Sequence, residues 1–155
     1  MGRYYQTDHG REGKFMFGVQ PSDDPQVMGM HEQDPTSVYY YADTDDEETI
    51  KASLDAQYDI LGVPKEERIY YCKDAKEAYE YEKRVLEDKV WVSVADDDKE
   101  TLEKYKDEVK WASDKEGYTN FEIKGHALVL ARIRLGLDIL SDIKDEGFCS
   151  LEAEL

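Results

Sequence analysis

"ALVLARIRLGLDILSDIKDEGFCSLEAEL", residues 127–155, holds the two patterns from which the fold is read. In its first part Leu130, Ile133, Leu137 and Leu140 recur at three- and four-residue spacing, and Leu128, Leu135, Ile139 and Ile143 widen that stripe to much of a helix's circumference. A helix apolar over so much of its surface belongs inside a core, and the pattern predicts one over about 121–144. Arg132, Arg134 and Asp138 break the apolar run, which marks a core helix and not a membrane span. Past Gly147 the period changes to two. Cys149, Leu151, Ala153 and Leu155 alternate with Ser150, Glu152 and Glu154, as in a strand with one buried face. Such a strand needs a sheet to join, so this stretch alone predicts a helix packed on a sheet.

The same two periods recur upstream. After an opening that reads as a polar turn, Phe15, Phe17 and Val19 alternate along a strand near 14–20 that Pro21 ends. Asp24 and Pro25 have the chemistry of a cap and first residue for a short helical turn through Met28, which Gly29 closes. "SVYYYAD" (37–43) is rich in strand formers, and a helix follows from about Asp45 to Leu61 with Ile50, Leu54, Tyr58 and Leu61 inward. "ERIYYC" (67–72) reads as a short strand or turn, and 73–89 as a helix with Ala75, Ala78, Tyr79, Val85 and Leu86 inward. "VWVSVADDD" (90–98) is a strand running into a second acidic segment. The order strand, Ala-Asp, acidic run, threonine, aliphatic stands at both 42–50 and 95–102, as either an internal duplication or two helix starts of like chemistry. The expectation is one α+β domain over 1–155. A small mixed or antiparallel sheet, built from about 14–20, 38–42, 90–95 and 149–155, carries three to four packed helices. A chain of this length typically hides about 70% of its unfolded surface.

The chain has 37 Asp and Glu against 20 Lys and Arg, a net charge of −17. That charge repels phosphate backbones and anionic membrane surfaces, and no basic run offsets it, so neither nucleic acid nor membrane is expected as a partner. Basic proteins and divalent cations are the favoured partners. Cys72 and Cys149 lie far apart behind no apolar leader, which points to a reducing, intracellular and cytoplasmic setting.

Asp43 to Glu48 is acidic at every position except Thr44. Between a strand and a helix, Asp43 or Thr44 can accept hydrogen bonds from unpaired helix N–H groups, Thr44 with Glu47 has capping-box spacing, and first-turn carboxylates gain from the helix dipole. Asp43, Asp45 and Glu47 also fit the first places of a calcium loop, but Glu48 stands where glycine is needed and Leu54 where the bidentate glutamate is needed. Weak Ca or Mg binding by the carboxylates is what remains of that reading. A strand ending in Asp-x-Asp resembles the start of haloacid-dehalogenase-like phosphatases. The likeness implies a Mg-dependent phosphohydrolase with Asp43 as nucleophile, Asp45 as general acid, and Asp97 or Asp98 as metal ligands. Asp46 and Glu47 replace the usual residues after the second aspartate. His31 near Glu32 and Asp34, and His9 beside Asp8, supply the histidine–carboxylate pairs, without the spacing of a known zinc motif; His126 reads as a partly buried helix-start histidine.

Twelve tyrosines are too many for one core to hide, and neighbours in a strand face opposite ways. Some of Tyr39, Tyr40, Tyr41, Tyr70 and Tyr71 must therefore reach the surface. Beside Asp45, Asp46, Glu47, Asp97 and Asp98 they would suit a basic protein partner. Three stretches, "GRYY" (2–5), "GKFMFGVQPSDDP" (13–25) and "ARIRLGLDIL…GFCSLEAEL" (131–155), resemble a group of short acidic proteins of unassigned function from large DNA viruses and environmental sequences. The resemblance implies a viral accessory or host-interaction protein and carries over no site residue. The expected function is thus a non-enzymatic interaction or inhibitor protein without a cofactor. The enzyme alternative is the phosphohydrolase.

Overall fold

The computed structural model describes residues 4–7, 11–14, 24–32, 39–111 and 117–153. In chain order the elements are β1 (Tyr4–Thr7), β2 (Glu12–Lys14), α1 (Asp24–Val27), β3 (His31–Glu32), β4 (Tyr39–Asp43), α2 (Glu47–Leu61), α3 (Ala75–Tyr81), a π-helical turn (Glu82–Leu86), α4 (Glu87–Val90), β5 (Trp91–Ala95), α5 (Lys99–Lys104), β6 (Val109–Trp111), β7 (Tyr118–Glu122), α6 (His126–Glu146) and β8 (Phe148–Ala153).

The helix and strand with which the reading began sit at the centre. Along α6, Leu130, Ile133, Leu135, Leu137, Ile139, Leu140 and Ile143 are all buried. The helix ends at Gly147, whose φ of 84° is open to glycine at little cost and whose N–H donates to Ile143 O at 2.7 Å. That reversal sends β8 back with Cys149 and Leu151 buried. Beside α6 lies α2, which buries Ile50, Leu54, Tyr58 and Leu61 as its spacing requires. Gly136 marks the closest approach: a β-carbon there would stand 2.9 Å from Met28 Cε and 3.3 Å from Leu54 Cδ1. Close packing explains a glycine inside a helix, where it costs about 1 kcal/mol relative to alanine.

The strands form two antiparallel sheets and not one. In the first the order is β2-β1-β8-β4-β3, with Tyr40 opposite Leu151 and Ala42 opposite Cys149 at its centre. The expected strands at 38–42 and 149–155 are thus paired neighbours. The expected strand at 14–20 lies, apart from Lys14, outside the described residues. The opening is a strand where a turn was expected. β1 pairs with β8 and β2 and buries Tyr5 and Thr7, an alternation over four residues that is too short to weigh against its polar surroundings. The expected strand at 90–95 is β5, but it belongs to a second sheet of order β5-β7-β6. β7 occupies residues read as the start of the core helix. Phe121 extends the helical stripe by spacing alone, yet Lys124 and Gly125, with φ of 47° and 75°, turn the chain before α6 can begin.

The helix expected over 73–89 is present as α3, the π turn and α4, with a different inner face. Tyr81, Leu86 and Val90 are buried, while Ala75 and Tyr79 are exposed. The spacing from Tyr81 to Leu86 is five residues, and the wider π turn brings both onto one face.

Candidate functional site

The acidic junction after β4 is first a helix start. Asp43 is extended and accepts from Asp45 N–H at 2.9 Å, while Asp46 Oδ2 accepts from Asp43 N–H at 3.0 Å. The capping box therefore begins one residue earlier than the Thr44–Glu47 box expected, on a 3-10 turn that leads into α2. His31 Nε2 approaches Asp46 Oδ1 at 2.6 Å. Burial pushes the Asp46 carboxyl up, but the hydrogen bonds from Asp43 N–H and His31 outweigh it and hold the group below its ordinary value. The second junction is built alike. Asp98 Oδ1 accepts from Thr101 N–H at 3.2 Å, which caps α5, and the Thr101 hydroxyl together with that N–H holds Asp98 below its ordinary value. The two starts differ beyond that, since α2 has 15 residues and α5 has 6.

Asp43 ends and Asp45 follows a strand of the five-stranded sheet, and Asp97 and Asp98 follow a strand of the other, so the four carboxylates proposed as a metal set lie at the ends of strands that are not neighbours. Among the described residues no group of three or more His, Cys, Asp or Glu side chains is placed to hold a metal ion.

The tyrosines divide by strand geometry. Tyr39 and Tyr41 are each 44% exposed, whereas Tyr40 is fully buried, which removes it from the expected binding surface. The period of two makes this division unavoidable. Across β4 and β8 the outer face reads Tyr39 opposite Glu152, Tyr41 opposite Ser150 and Asp43 opposite Phe148, which is 45% exposed. β3 extends the face at one edge, where the His31 ring lies 5.3 Å from Tyr41. On the other flank of β8, Gln6 of β1 stands opposite Glu152. Aromatic rings and carboxylates thus face one another across the central pair of strands.

Tyr70 and Tyr71 are half-buried and already engaged. Tyr70 donates to Asp55 Oδ1 at 2.6 Å, and Arg68 pairs with both Asp55 and Asp59, so the 63–72 loop is fastened to α2. Tyr71 donates to Glu47 Oε1, and Lys51 and Lys144 lie over its ring at 5.3 and 4.7 Å. That hydrogen bond from Tyr71 holds Glu47 below its ordinary value. Asp45, Asp97 and Asp98 are exposed, and Asp46 and Glu47 are half-buried. Of the expected surface, Tyr39 and Tyr41 share one sheet face with the Asp43 carboxylate, Asp45 to Glu47 follow at its end, and Asp97 and Asp98 stand apart after the second sheet's β5.

Both cysteines are buried. Burial pushes the Cys72 thiol up to about 11, which leaves it a poor nucleophile at neutral pH. His126 begins α6 with Nδ1 at 2.9 Å from Lys89 O, a packing role like the one its position predicts. His9 lies outside the described residues.

A cleft that sequence reading missed opens between α3, the π turn and α6. Its volume is about 290 Å³, and Tyr5, Glu82, Arg134 and Asp138 place polar groups among Ala78, Tyr79, Tyr81, Leu86, Ile133 and Leu137. Tyr5 donates to Asp138 Oδ2 at 2.7 Å, and Arg134 forms a two-point pair with Glu82. Burial pushes the Asp138 carboxyl up to about 6, against the Tyr5 hydroxyl and Arg11, which both pull it down. Burial and the Asp138 charge push the Tyr5 phenol well above its ordinary value. The available signal was Arg134 and Asp138 themselves, two charges one turn apart within the apolar stretch from Ile133 to Leu140.

No protein-family model, curated protein or solved structure matches the chain. Among the described residues no helix is long and apolar enough to cross a membrane.

Proposed function

We propose that this protein is a non-enzymatic interaction module whose recognition surface is the outer face of the five-stranded sheet, directed at an arginine- and lysine-bearing segment of another protein. The observation that carries the reading is the pairing of exposed rings with carboxylates across β4 and β8, Tyr39 with Glu152 and Phe148 with Asp43. A guanidinium can stack on such a ring and pair with the neighbouring carboxylate, and exposed aromatics of this kind are where binding energy concentrates. The net charge of −17 speeds encounter with a basic partner and makes it salt-dependent. Charge alone would attract any polycation, so the test must separate ring from charge.

The probe is a fluorescent 12-residue peptide of alternating arginine and serine, titrated at low and near-physiological salt. Tyr39→Ala with Tyr41→Ala leaves the charge unchanged and is expected to weaken binding by at least tenfold, because each exposed anchor ring is typically worth over ~1 kcal/mol. Glu100→Gln with Glu103→Gln, on the distant α5, removes two charges and is expected to weaken it only slightly. Equal losses for the two pairs, or none for the tyrosines, would show that binding follows net charge and not this face. No observation favours the phosphohydrolase: of the carboxylates assigned to it, Asp43 caps the 3-10 turn after β4 and Asp98 caps α5 after β5, at strands of two different antiparallel sheets.

A further inference from the structure

The cleft between α3, the π turn and α6 is separate from that sheet face and has its own chemistry. Its 290 Å³ corresponds to about ten water volumes at ~30 Å³ each, room for a compact organic molecule. Ala78, Leu86, Ile133 and Leu137 supply apolar walls, and Tyr5, Tyr79 and Tyr81 supply rings. The polar groups are unequal. Arg134 is taken up by Glu82 through two hydrogen bonds, so it offers little to an anion. Asp138 receives the Tyr5 hydroxyl, yet no Arg, Lys or His among the described residues forms an ion pair with it. Arg11, whose charge acts on Asp138, is bound instead to Asp142 and Asp145. The cleft is therefore an apolar chamber with a half-buried carboxylate that has no ion-pair partner among the described residues.

From this geometry we infer that the cleft binds a small organic ammonium compound, an amine on an apolar or aromatic body, with the ammonium paired to Asp138 and the body against Tyr79, Leu86 and Leu137. A carboxylate ligand would meet Asp138 and Glu82 as like charges. A neutral apolar ligand would cover Asp138 and leave its charge without a partner, which is costly away from water. An ammonium removes that cost and gains attraction from the tyrosine faces. The π turn contributes directly, because it carries Glu82 and Leu86 to the cleft wall.

The groups facing Asp138 are Tyr5 from β1, Arg11 ahead of β2, Glu82 from the π turn, Arg134 and Asp142 from α6, and the Cys72 and Cys149 thiols nearby. With the carboxyl titrating near pH 6, an ammonium that pairs with its ionised form must expel a proton at lower pH.

Calorimetric titration with 2-phenylethylamine, with 2-phenylethanol and 3-phenylpropionate as controls, tests the inference. Expected is saturable binding of the amine at pH 8 at least tenfold tighter than either control, and a tenfold or greater loss in Asp138→Asn. A second reading needs no variant. At pH 5.5 amine binding should release a large fraction of a proton, seen as a dependence of the heat on buffer ionisation enthalpy, and at pH 8 almost none. Equal affinity for amine and alcohol, an unchanged Asp138→Asn, no saturable binding, or no proton release at pH 5.5 would each overturn it. None of these outcomes bears on the sheet face.

Discussion

Replacing Asp138 by asparagine should make this protein more stable at neutral pH. The carboxyl titrates near 6 in the folded chain against an ordinary value of 3.8, because the fold draws it largely away from water and gives it a phenol but no ion pair among the described residues, with Arg11 offsetting only part of the cost. Folding therefore favours the protonated form. The sign follows: between the two values the folded state holds a proton the unfolded state has lost, so stability falls as pH rises through that window. The contribution is fully present below about 3.8 and gone above about 6. Two units at 1.36 kcal/mol each make the ionised carboxylate cost about 3 kcal/mol at pH 7.5. Asparagine keeps an oxygen to accept from Tyr5 and never ionises, and it relieves repulsion with Asp142 one turn on. Its amide N–H groups need partners of their own, so a net gain of about 1–3 kcal/mol is expected. At 2–4 °C per kcal/mol for a chain of this size, the midpoint should rise by roughly 2–12 °C. The measurement is urea unfolding of both proteins from pH 4 to 8, read as the difference between them, so that other carboxylates cancel. The variant's advantage should be largest above pH 7 and vanish near pH 4. A difference that does not change with pH would show that Asp138 is not desolvated as its surroundings imply, and a variant that is less stable above pH 7 would refute the argument outright.

Three further outcomes follow from particular contacts. Asp43→Ala removes the acceptor for Asp45 N–H and should cost about 1 kcal/mol in urea unfolding, whereas Asp43→Asn, an equally good cap, should cost a few tenths at most. Gly136→Ala should destabilise by about 1–3 kcal/mol, since its methyl would meet Met28 and Leu54 and the helix gains only about 1 kcal/mol from losing a glycine; an increase in thermal midpoint would show that the interface has slack. Arg132→Ala strips the cation from Asp24, whose side chain is fully buried and which receives Arg132 Nε at both oxygens, and should cost about 3–5 kcal/mol, with Arg132→Met plus Asp24→Leu recovering most of the loss.

The parts of the fold legible in the sequence are those in which one period persists long enough to exclude the other. α6 has five turns of apolar stripe, α2 four, and β8 alternates over its whole length. The second sheet was hidden because β6 has three residues and β7 five, and because Phe121 fits the helical stripe as well as it fits a strand. What separates them is a backbone turn at Lys124 and Gly125, and a lysine in the left-handed region carries no mark in the sequence. The inner face expected for the helix over 73–89 failed for a related reason: a pattern read at 3.6 residues per turn does not show the wider π turn at Glu82–Leu86.

The site divides along the same line between local and distant information. That Tyr39 and Tyr41 face one way and Tyr40 the other follows from the pleat, and the acidic junctions are legible as helix starts because a cap acts within three residues of itself. The cleft depends instead on Tyr5, Glu82 and Asp138 meeting across more than a hundred positions of chain, and no window along the sequence contains them together. Yet each leaves a local trace. Charges at Arg134 and Asp138 stand one turn apart among the buried apolar residues Ile133, Leu135, Leu137 and Ile139, and a charge kept in such a place must have a partner, a solvent path or a ligand. Arg134 has the first in Glu82. Asp138 has the Tyr5 phenol, no ion pair among the described residues, and a half-buried place on the wall of the cleft, so a ligand in that cleft is the answer its surroundings leave to be tested.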